Sequence, residues 1–252
     1  GIVGKAIRSG FGGKHEVFVH DPKLGTQLTD VTANCDVAYI AVPTPTDGVS
    51  NKCDTGIVRS VLEELPDGFS AVIKSTVVPG TTEKLQEDFP NLKIACSPEF
   101  LRAESAVEDF RNQEILVVGT NDPEFAGLIL EHHTKAGIMV EEGFFHVSPT
   151  QAEIAKYAKN SFYSIKVIFG NQFQELSRHH DEDWGAIKEI LTHPHQNSIG
   201  DSHLDEIPGE MGFGGRCLPK DTLAIITELR ERGLDYELLQ SILNDNKRIR
   251  GE

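Results

Sequence analysis

Short apolar runs alternate with amphipathic stretches over the first 147 residues, and from Thr150 the hydrophobic period becomes helical and stays so. The runs at Asp36–Val42, Ser70–Lys74, Leu92–Cys96 and Ile115–Gly119 are continuous, as in strands buried on both faces of a parallel sheet. Glu16–Asp21 reads as a further strand ending in an acid, and Gly137–Val140 as a last one. Helical patterns lie between them at Ile2–Ile7, Thr55–Leu65, Thr81 to about Phe89 and Pro123–Thr134. This alternation predicts an α/β fold, a doubly wound parallel sheet of the Rossmann type over residues 1–147. An all-helical domain over 148–252 follows.

In that second half, Ser148 or Thr150 can cap a long helix from about Gln151 to His180. Its apolar positions are Ile154, Ala155, Ala158, Phe162, Ile165, Ile168 and Phe169. Glu153, Lys156 and Asn160 lie three and four apart and share a face. Either Lys156 and Asn160 point together into a site, or the stripe is solvated. A helix over Asp183–Leu191 ends before Pro194, and another opened by Pro219 reaches about Arg232. Gly233 breaks it, and a last helix runs from Tyr236 to Arg250.

Candidate chemistry clusters in Gly212–Asp221, where three glycines precede Cys217 and Pro219 opens a helix. Cys217 then sits at a helix N-terminus between Arg216 and Lys220, conditions that favour a reactive thiolate. A small buried cysteine in a glycine-rich turn is the structural alternative. Hydroxyl-rich loops follow two of the strands, Pro43-Thr44-Pro45-Thr46 and Ser75 to Thr82, at the sheet edge where open α/β folds bind ligands. At the start, Gly1 and Gly4 precede a helix, and Asp21 follows about twenty residues on. A dinucleotide fold uses that layout for pyrophosphate and ribose, although a turn glycine before an ordinary helix gives the same letters. If Gly1 and Gly4 are the fingerprint's second and third glycines, its first glycine and first strand lie upstream of residue 1.

Composition narrows the partners. The chain has 252 residues, 38% hydrophobic and 25% charged, with a formal charge of −15. Such a balance argues against nucleic acid and against an anionic membrane surface, so any anionic ligand must be held by helix N-termini and a few placed cations. The four cysteines, Cys35, Cys53, Cys96 and Cys217, form no CxxC pair, which suggests reduced thiols and a cytoplasmic setting. No apolar run has membrane-span length. The histidine pairs His132-His133 and His179-His180 lack metal-site spacing and read as surface residues, so no metal is expected. Phe213 and Trp184 read as packing residues.

Taken together, Gly1-Ile2-Val3-Gly4, Val42-Pro43-Thr44-Pro45, Ser75-Thr76 through Gly80-Thr81-Thr82, Ser97 to Arg102, Lys156-x-x-x-Asn160 and Gly212 to Asp221 resemble the UDP-glucose/GDP-mannose dehydrogenase family in content and order. The resemblance implies NAD as cofactor and oxidation of a nucleotide-sugar C6 alcohol, most simply UDP-glucose, to the carboxylate. It casts Cys217 as the nucleophile of a thiohemiacetal and thioester. Lys156 and Asn160 would stabilise the oxyanion, Asp221 would manage protons, Glu99 would serve thioester hydrolysis and Thr76 would place a water. It puts Gly1, Val3, Gly4, Asp21, Val42, Pro43, Thr44 and Ser75 on the cofactor. Phe100, Leu101, Arg102, Phe213 and Gly214 fall on the substrate, and a homodimer through the central helices is implied, with Leu238, Leu239, Ile242 and Leu243 as apolar positions for it.

Departures from the family pattern also stand in the sequence. Ala103 occupies the place of a second glutamate with Glu104 one residue on, and Asn197-Ser198-Ile199-Gly200 lacks an arginine before Ile-Gly. Arg216 stands where serine or tyrosine is common, and the family's third α/β domain would follow Glu252. Two other readings share these residues: a two-electron β-hydroxyacid-type dehydrogenase using Lys156, and a degenerate paralogue acting as a binding or dimerisation module.

Overall fold

The computed structural model describes residues 1–138, 143–194, 199–200, 203–204 and 211–252. They fall into two compact units, Gly1–Asp47 with Cys53–Lys156, and Gly48–Lys52 with Tyr157–Glu252. The division lies inside a single long helix.

The first unit is built on a five-stranded sheet ordered β1 (Val37–Ile40), β2 (Ser70–Ile73), β3 (Lys93–Cys96), β4 (Leu116–Gly119) and β5 (Phe144–Val147). Residue register runs Val37 to Ser70 to Lys93 in parallel, and β4–β5 is parallel too. β3 and β4 meet differently, antiparallel through the single pair Cys96–Gly119, so the parallel sheet expected from the sequence has one reversed junction. Helices α1 (Ile2–Phe11), α5 (Ala106–Arg111) and α6 (Pro123–Lys135) cover one face, and α3 (Gly56–Glu63) and α4 (Thr81–Asp88) the other. Strand alternation feeds both cores: Val72 and Ala95 pack with Phe11, Phe110 and Ile129, whereas Ala71, Ile73 and Ile94 pack with Val58, Leu62 and Leu85. A sheet covered on both faces explains why its strands read as unbroken apolar runs.

Several expectations need correction. Residues 16–20 form no strand, because no described strand hydrogen-bonds to them, although Val17 still packs on the core. Met139 and Val140 lie outside the described residues, and the last strand is Phe144–Val147 instead. Two short helices escaped the sequence pattern, α2 (Leu28–Thr32) and α5. Both are under two turns, too short to display a period.

The helix α7 spans Pro149–His179. Its start lies against β4 closely enough that a Cβ on Gly119 would come within 2.8 Å of Ala152 Cβ, so only glycine fits there. In the second unit the remainder of α7 packs with α9 (Leu218–Glu231) and α10 (Glu237–Arg250) through Val167, Ile168, Phe213, Ile226 and Leu243. Between them comes α8 (Trp184–Thr192), capped by Asp183, with Trp184 buried as expected of a packing residue. No helix among the described residues is long and apolar enough to cross a membrane.

The histidines depart most from expectation. His133 is fully buried on α6, its Nδ1 donating to the Ile129 carbonyl at 2.7 Å, with Phe11 and Phe110 against its ring. Its neighbour His132 is hydrogen-bonded through Nδ1 to the Tyr39 hydroxyl at 2.8 Å, and the His15 ring donates to the His132 carbonyl. Burial, reinforced by the Lys74 charge, pushes the His133 pKa down to about 3, and burial lowers that of His132. The folded state therefore resists protons that the unfolded chain takes up below about pH 6.5, so stability falls as pH drops from there towards 3. Replacing His133 with Leu should flatten that dependence by about one proton, or about 1.4 kcal/mol per pH unit. Denaturant unfolding at a series of pH values reads it, and equal slopes for both proteins would refute the assignment.

Candidate active site

In the first unit, α1 begins at Gly1 with no side-chain cap and no acid in its first turn. A Cβ on Gly4 would meet nothing within 4 Å. The N-terminal end of a helix attracts the charge of a pyrophosphate. Asp21 lies beside it, Oδ2 at 3.8 Å from the Gly1 nitrogen, while Oδ1 accepts from Lys23 N at 2.9 Å. That pairing of helix donors with a nearby carboxylate is the donor set a dinucleotide requires. Val3 lies on α1 and packs against the core.

The hydroxyl loops at the strand ends are tied to each other. Ser75 Oγ accepts from Val42 N at 3.0 Å and donates to Val42 O at 2.8 Å, and Thr44 Oγ1 donates to Thr76 O at 2.7 Å. Thr44 and Ser75 are thus consumed in fixing the backbone of Val42–Thr44 and Thr76. What these loops offer a ligand is a fixed wall.

A buried ion pair, which sequence reasoning missed, lies behind that wall. Lys74 follows β2 and contacts Glu99 Oε1, with Nζ also donating to Ser97 Oγ at 3.0 Å. Both side chains are almost wholly buried. The signal was present: a lysine directly after the apolar run Ala71–Ile73 needs a counter-charge. Phe100 packs beside Cys96, Val117 and Ala152, and the Lys156 ammonium stands 5.4 Å from its ring centroid. Leu101 joins the core, and the Arg102 guanidinium is held bidentately by Asp109 at 3.1 and 2.7 Å. Arg102 therefore steadies the start of α5 and holds the Asp109 carboxyl well below the usual range. Ala103 and Glu104 line, with Ile2 and Lys5, an open groove of about 650 Å³.

Glu153 does not face a ligand. It is buried, accepting from Gly80 N (2.6 Å), Thr82 N (2.8 Å) and Thr82 Oγ1 (2.6 Å), and so caps α4. Desolvation raises its pKa while these donors oppose the rise. The face shared by Glu153, Lys156 and Asn160 is not a solvated stripe, since the first and last are buried and Lys156 is half-buried.

In the second unit, Asn160 Nδ2 donates to Asp221 Oδ2 at 2.6 Å, and Lys220 Nζ contacts Asp221 Oδ1 at 2.6 Å. Asp221 is 2% exposed. One turn along α7 and at the next residue of α9, Ser164 Oγ meets Thr222 Oγ1 at 2.8 Å, so α7 and α9 are registered by two polar contacts. Cys217 is the N-cap of α9, exposed and without a side-chain cap bond, and its carbonyl accepts from Asp221 N at 2.8 Å. The helix starts one residue before Pro219, at Leu218. Phe213 is buried among Val167, Ile168, Ile226 and Leu243, so its ring anchors the glycine loop as a packing residue. Arg216 is exposed, and Asn197 and Ser198 lie outside the described residues. All four cysteines are free thiols, and no group of three or more metal-ligating side chains occurs among the described residues.

Comparison with known proteins places these halves. The chain is 33% identical over 225 residues to a UDP-glucose 6-dehydrogenase of Rickettsia typhi, covering 85% of this chain and 50% of that protein. It is 29% identical over 251 residues to UDP-glucose 6-dehydrogenase AglM of Haloferax volcanii, covering 92% and 56%. The solved UDP-glucose dehydrogenase of the archaeon Pyrobaculum islandicum superposes with a TM-score of 0.76 at 28% identity, over 96% of this chain and 60% of that one. The chain thus spans about half the length of the curated relatives it matches. Residues 18–136 match the NAD-binding domain of the UDP-glucose/GDP-mannose dehydrogenase family, and residues 150–248 match its central domain. With the two domains in order along one chain, the protein belongs to the UDP-glucose/GDP-mannose dehydrogenase family.

Proposed function

We propose that this chain carries the oxidising half of a UDP-sugar 6-dehydrogenase, converting the C6 alcohol of UDP-glucose to the uronate. The observation that carries the reading is the buried Asn160–Asp221 pair fixing the first turn of the helix that Cys217 caps. In balance, the alcohol, one water and two NAD⁺ give the carboxylate, two NADH and three protons. NAD supplies the hydride acceptor in both oxidations.

The chain's own residues would do the rest. Lys156, with Asn160 one turn further along α7, stabilises the oxygen anion as the alcohol becomes an aldehyde. Cys217 sulfur adds to the aldehyde carbon, making a thiohemiacetal whose oxidation leaves a thioester. Asp221 holds the Asn160 amide in place and manages protons in the reaction. Glu99 assists attack of water on the thioester, which releases the carboxylate and restores the thiol, and Thr76 helps place that water. The α1 N-terminus and Asp21 hold the cofactor's pyrophosphate and ribose, and the Val42–Thr44 and Ser75 wall faces its nicotinamide.

A second copy of the chain is the partner the second unit suits. Leu239, Ile242 and Leu243 are occupied within its own core, which leaves Leu238 alone of the four exposed. The apolar surface lies on α7 instead, where Phe162, Phe169, Phe173 and Leu176 are 38–55% exposed at helical spacing.

Three outcomes test these assignments. Turnover of UDP-glucose should yield two NADH per sugar, with no uronate from Cys217→Ser. One NADH per sugar from the unaltered chain would instead favour a two-electron dehydrogenase relying on Lys156. Light scattering should show a dimer that Phe169→Glu with Phe173→Glu converts to a monomer, and a monomeric parent protein would refute the interface. Lys74→Met should cost about 3–5 kcal/mol in denaturant unfolding by stranding Glu99, and adding Glu99→Gln should restore most of it.

A further inference from the structure

The loop that carries Cys217 has little to hold it by itself. Gly212 and Gly215 have φ of +81° and +75°, and among the described residues no backbone–backbone hydrogen bond reaches residues 212–216. A chain so rich in glycine has many alternative conformations, and one must be selected from outside. Two buried asparagines from different helices make the selection. Asn171 on α7, 1% exposed, accepts the Gly212 N–H on Oδ1 at 2.7 Å. Asn246 on α10, 3% exposed, accepts the Phe213 N–H on Oδ1 at 2.7 Å and donates Nδ2 to the Phe213 carbonyl at 3.0 Å.

The Asn246 amide therefore pairs with both polar groups of one residue, as a neighbouring strand would. Its fit is close: a Cβ on Gly212 would lie 2.6 Å from Asn246 Oδ1, so the loop approaches the amide as only glycine permits. Glutamine in place of Asn246 would overreach, and aspartate would accept from Phe213 N–H but repel its carbonyl. Beneath these bonds the Phe213 ring is seated between α7, α9 and α10. Four residues on, Cys217 caps α9.

We infer that Asn171 and Asn246 are positioning residues for Cys217, clamping the glycine loop so that the thiol is presented at the α9 N-terminus. The inference rests on the proposed role of Cys217 as nucleophile, but the clamp itself can be read separately. Neither asparagine touches the reacting atoms. Their effect is to keep the sulfur from wandering with a loop that would otherwise sample many states, so that the favourable field of the helix start acts on it at all times.

The test uses the full chain and two measurements on each variant. Amide hydrogen exchange reads the clamp: Asn246→Ala should speed exchange at Phe213, and Asn171→Ala at Gly212, by about tenfold, with the interior of α9 unchanged. Carbamidomethylation by iodoacetamide at pH 7, resolved by mass spectrometry at each cysteine, reads the thiol. Cys217 in the parent should react about tenfold faster than the same cysteine in an unfolded peptide of residues 212–221. In Asn246→Ala and Asn246→Asp that advantage should shrink at least threefold, with Cys35 and Cys53 unaffected. Asn244→Ala, an exposed neighbour on α10 whose side chain accepts from Gln240, controls for loss of helix stability and should leave Cys217 as in the parent.

A rapid parent reaction that Asn246→Ala leaves unchanged would overturn the inference, as would unaltered exchange at Phe213. A parent Cys217 no faster than the peptide would instead refute its role as an activated nucleophile, while hydrogen exchange would still decide the clamp. Should Asn246→Ala fail to fold, the milder Asn171→Ser and Asn246→Asp variants carry the same two readouts, and the same results decide.

Discussion

Buried polar groups must find partners, and α7 carries an unusual share of them. Leaving such a group unpaired costs about 1–3 kcal/mol, so each one dictates where a neighbour goes. In the first unit Glu153, a carboxylate 1% exposed, accepts three donors from the start of α4 and ties that helix to α7. In the second, Asn160 finds Asp221, Ser164 finds Thr222 and Asn171 finds the Gly212 amide. Three turns of one helix thereby fix the register of α9 and the path of the loop before it. Apolar contacts from Val167 and Ile168 supply burial but allow sliding, whereas these directed bonds do not.

The same rule accounts for the parts of the fold that the amino-acid pattern reveals and those it hides. Strands β1 to β4 and the long helices announce themselves because burial on two faces, or on one stripe, writes a period into the chain. Paired polar residues write none. Asn171 and Asn246 look like ordinary amide residues until the partner brought by another element is known. The reverse error also occurs: Arg102 follows a family motif, yet its guanidinium is spent on Asp109, seven residues away. His133 shows a third case, since a histidine beside another histidine gives no sign that Phe11 and Phe110 will enclose it. Residues 16–20 have a strand's composition but no ladder, because a strand is a property of two segments.

Of the proposed site, the linear motifs supply the residue types, and the structure adds what holds them in shape. The Cys217 loop, Lys156, Asn160 and Asp221 were legible as residue types at the right spacing. That Thr44 and Ser75 spend their hydroxyls on neighbouring backbone was not, and it changes their part from donor to scaffold. Phe213, a packing residue by its place in the sequence, is buried in the core of the second unit and anchors the loop.

A glycine loop at a helix start poses opposing demands. The backbone must lie close to its surroundings, which glycine allows, yet the thiol must stay in one place, which glycine opposes. A larger residue at 212 or 214 would stiffen the chain but strike Asn246 or Arg250, within 2.6 and 3.0 Å of the Cβ it would bring. Rigidity therefore has to come from side chains outside the loop, and a buried amide suits the task better than an apolar contact. It can satisfy an N–H and a carbonyl together, and any displacement of the loop leaves both unpaired in a dry interior. The asparagines thus convert a floppy segment into one with a steep well.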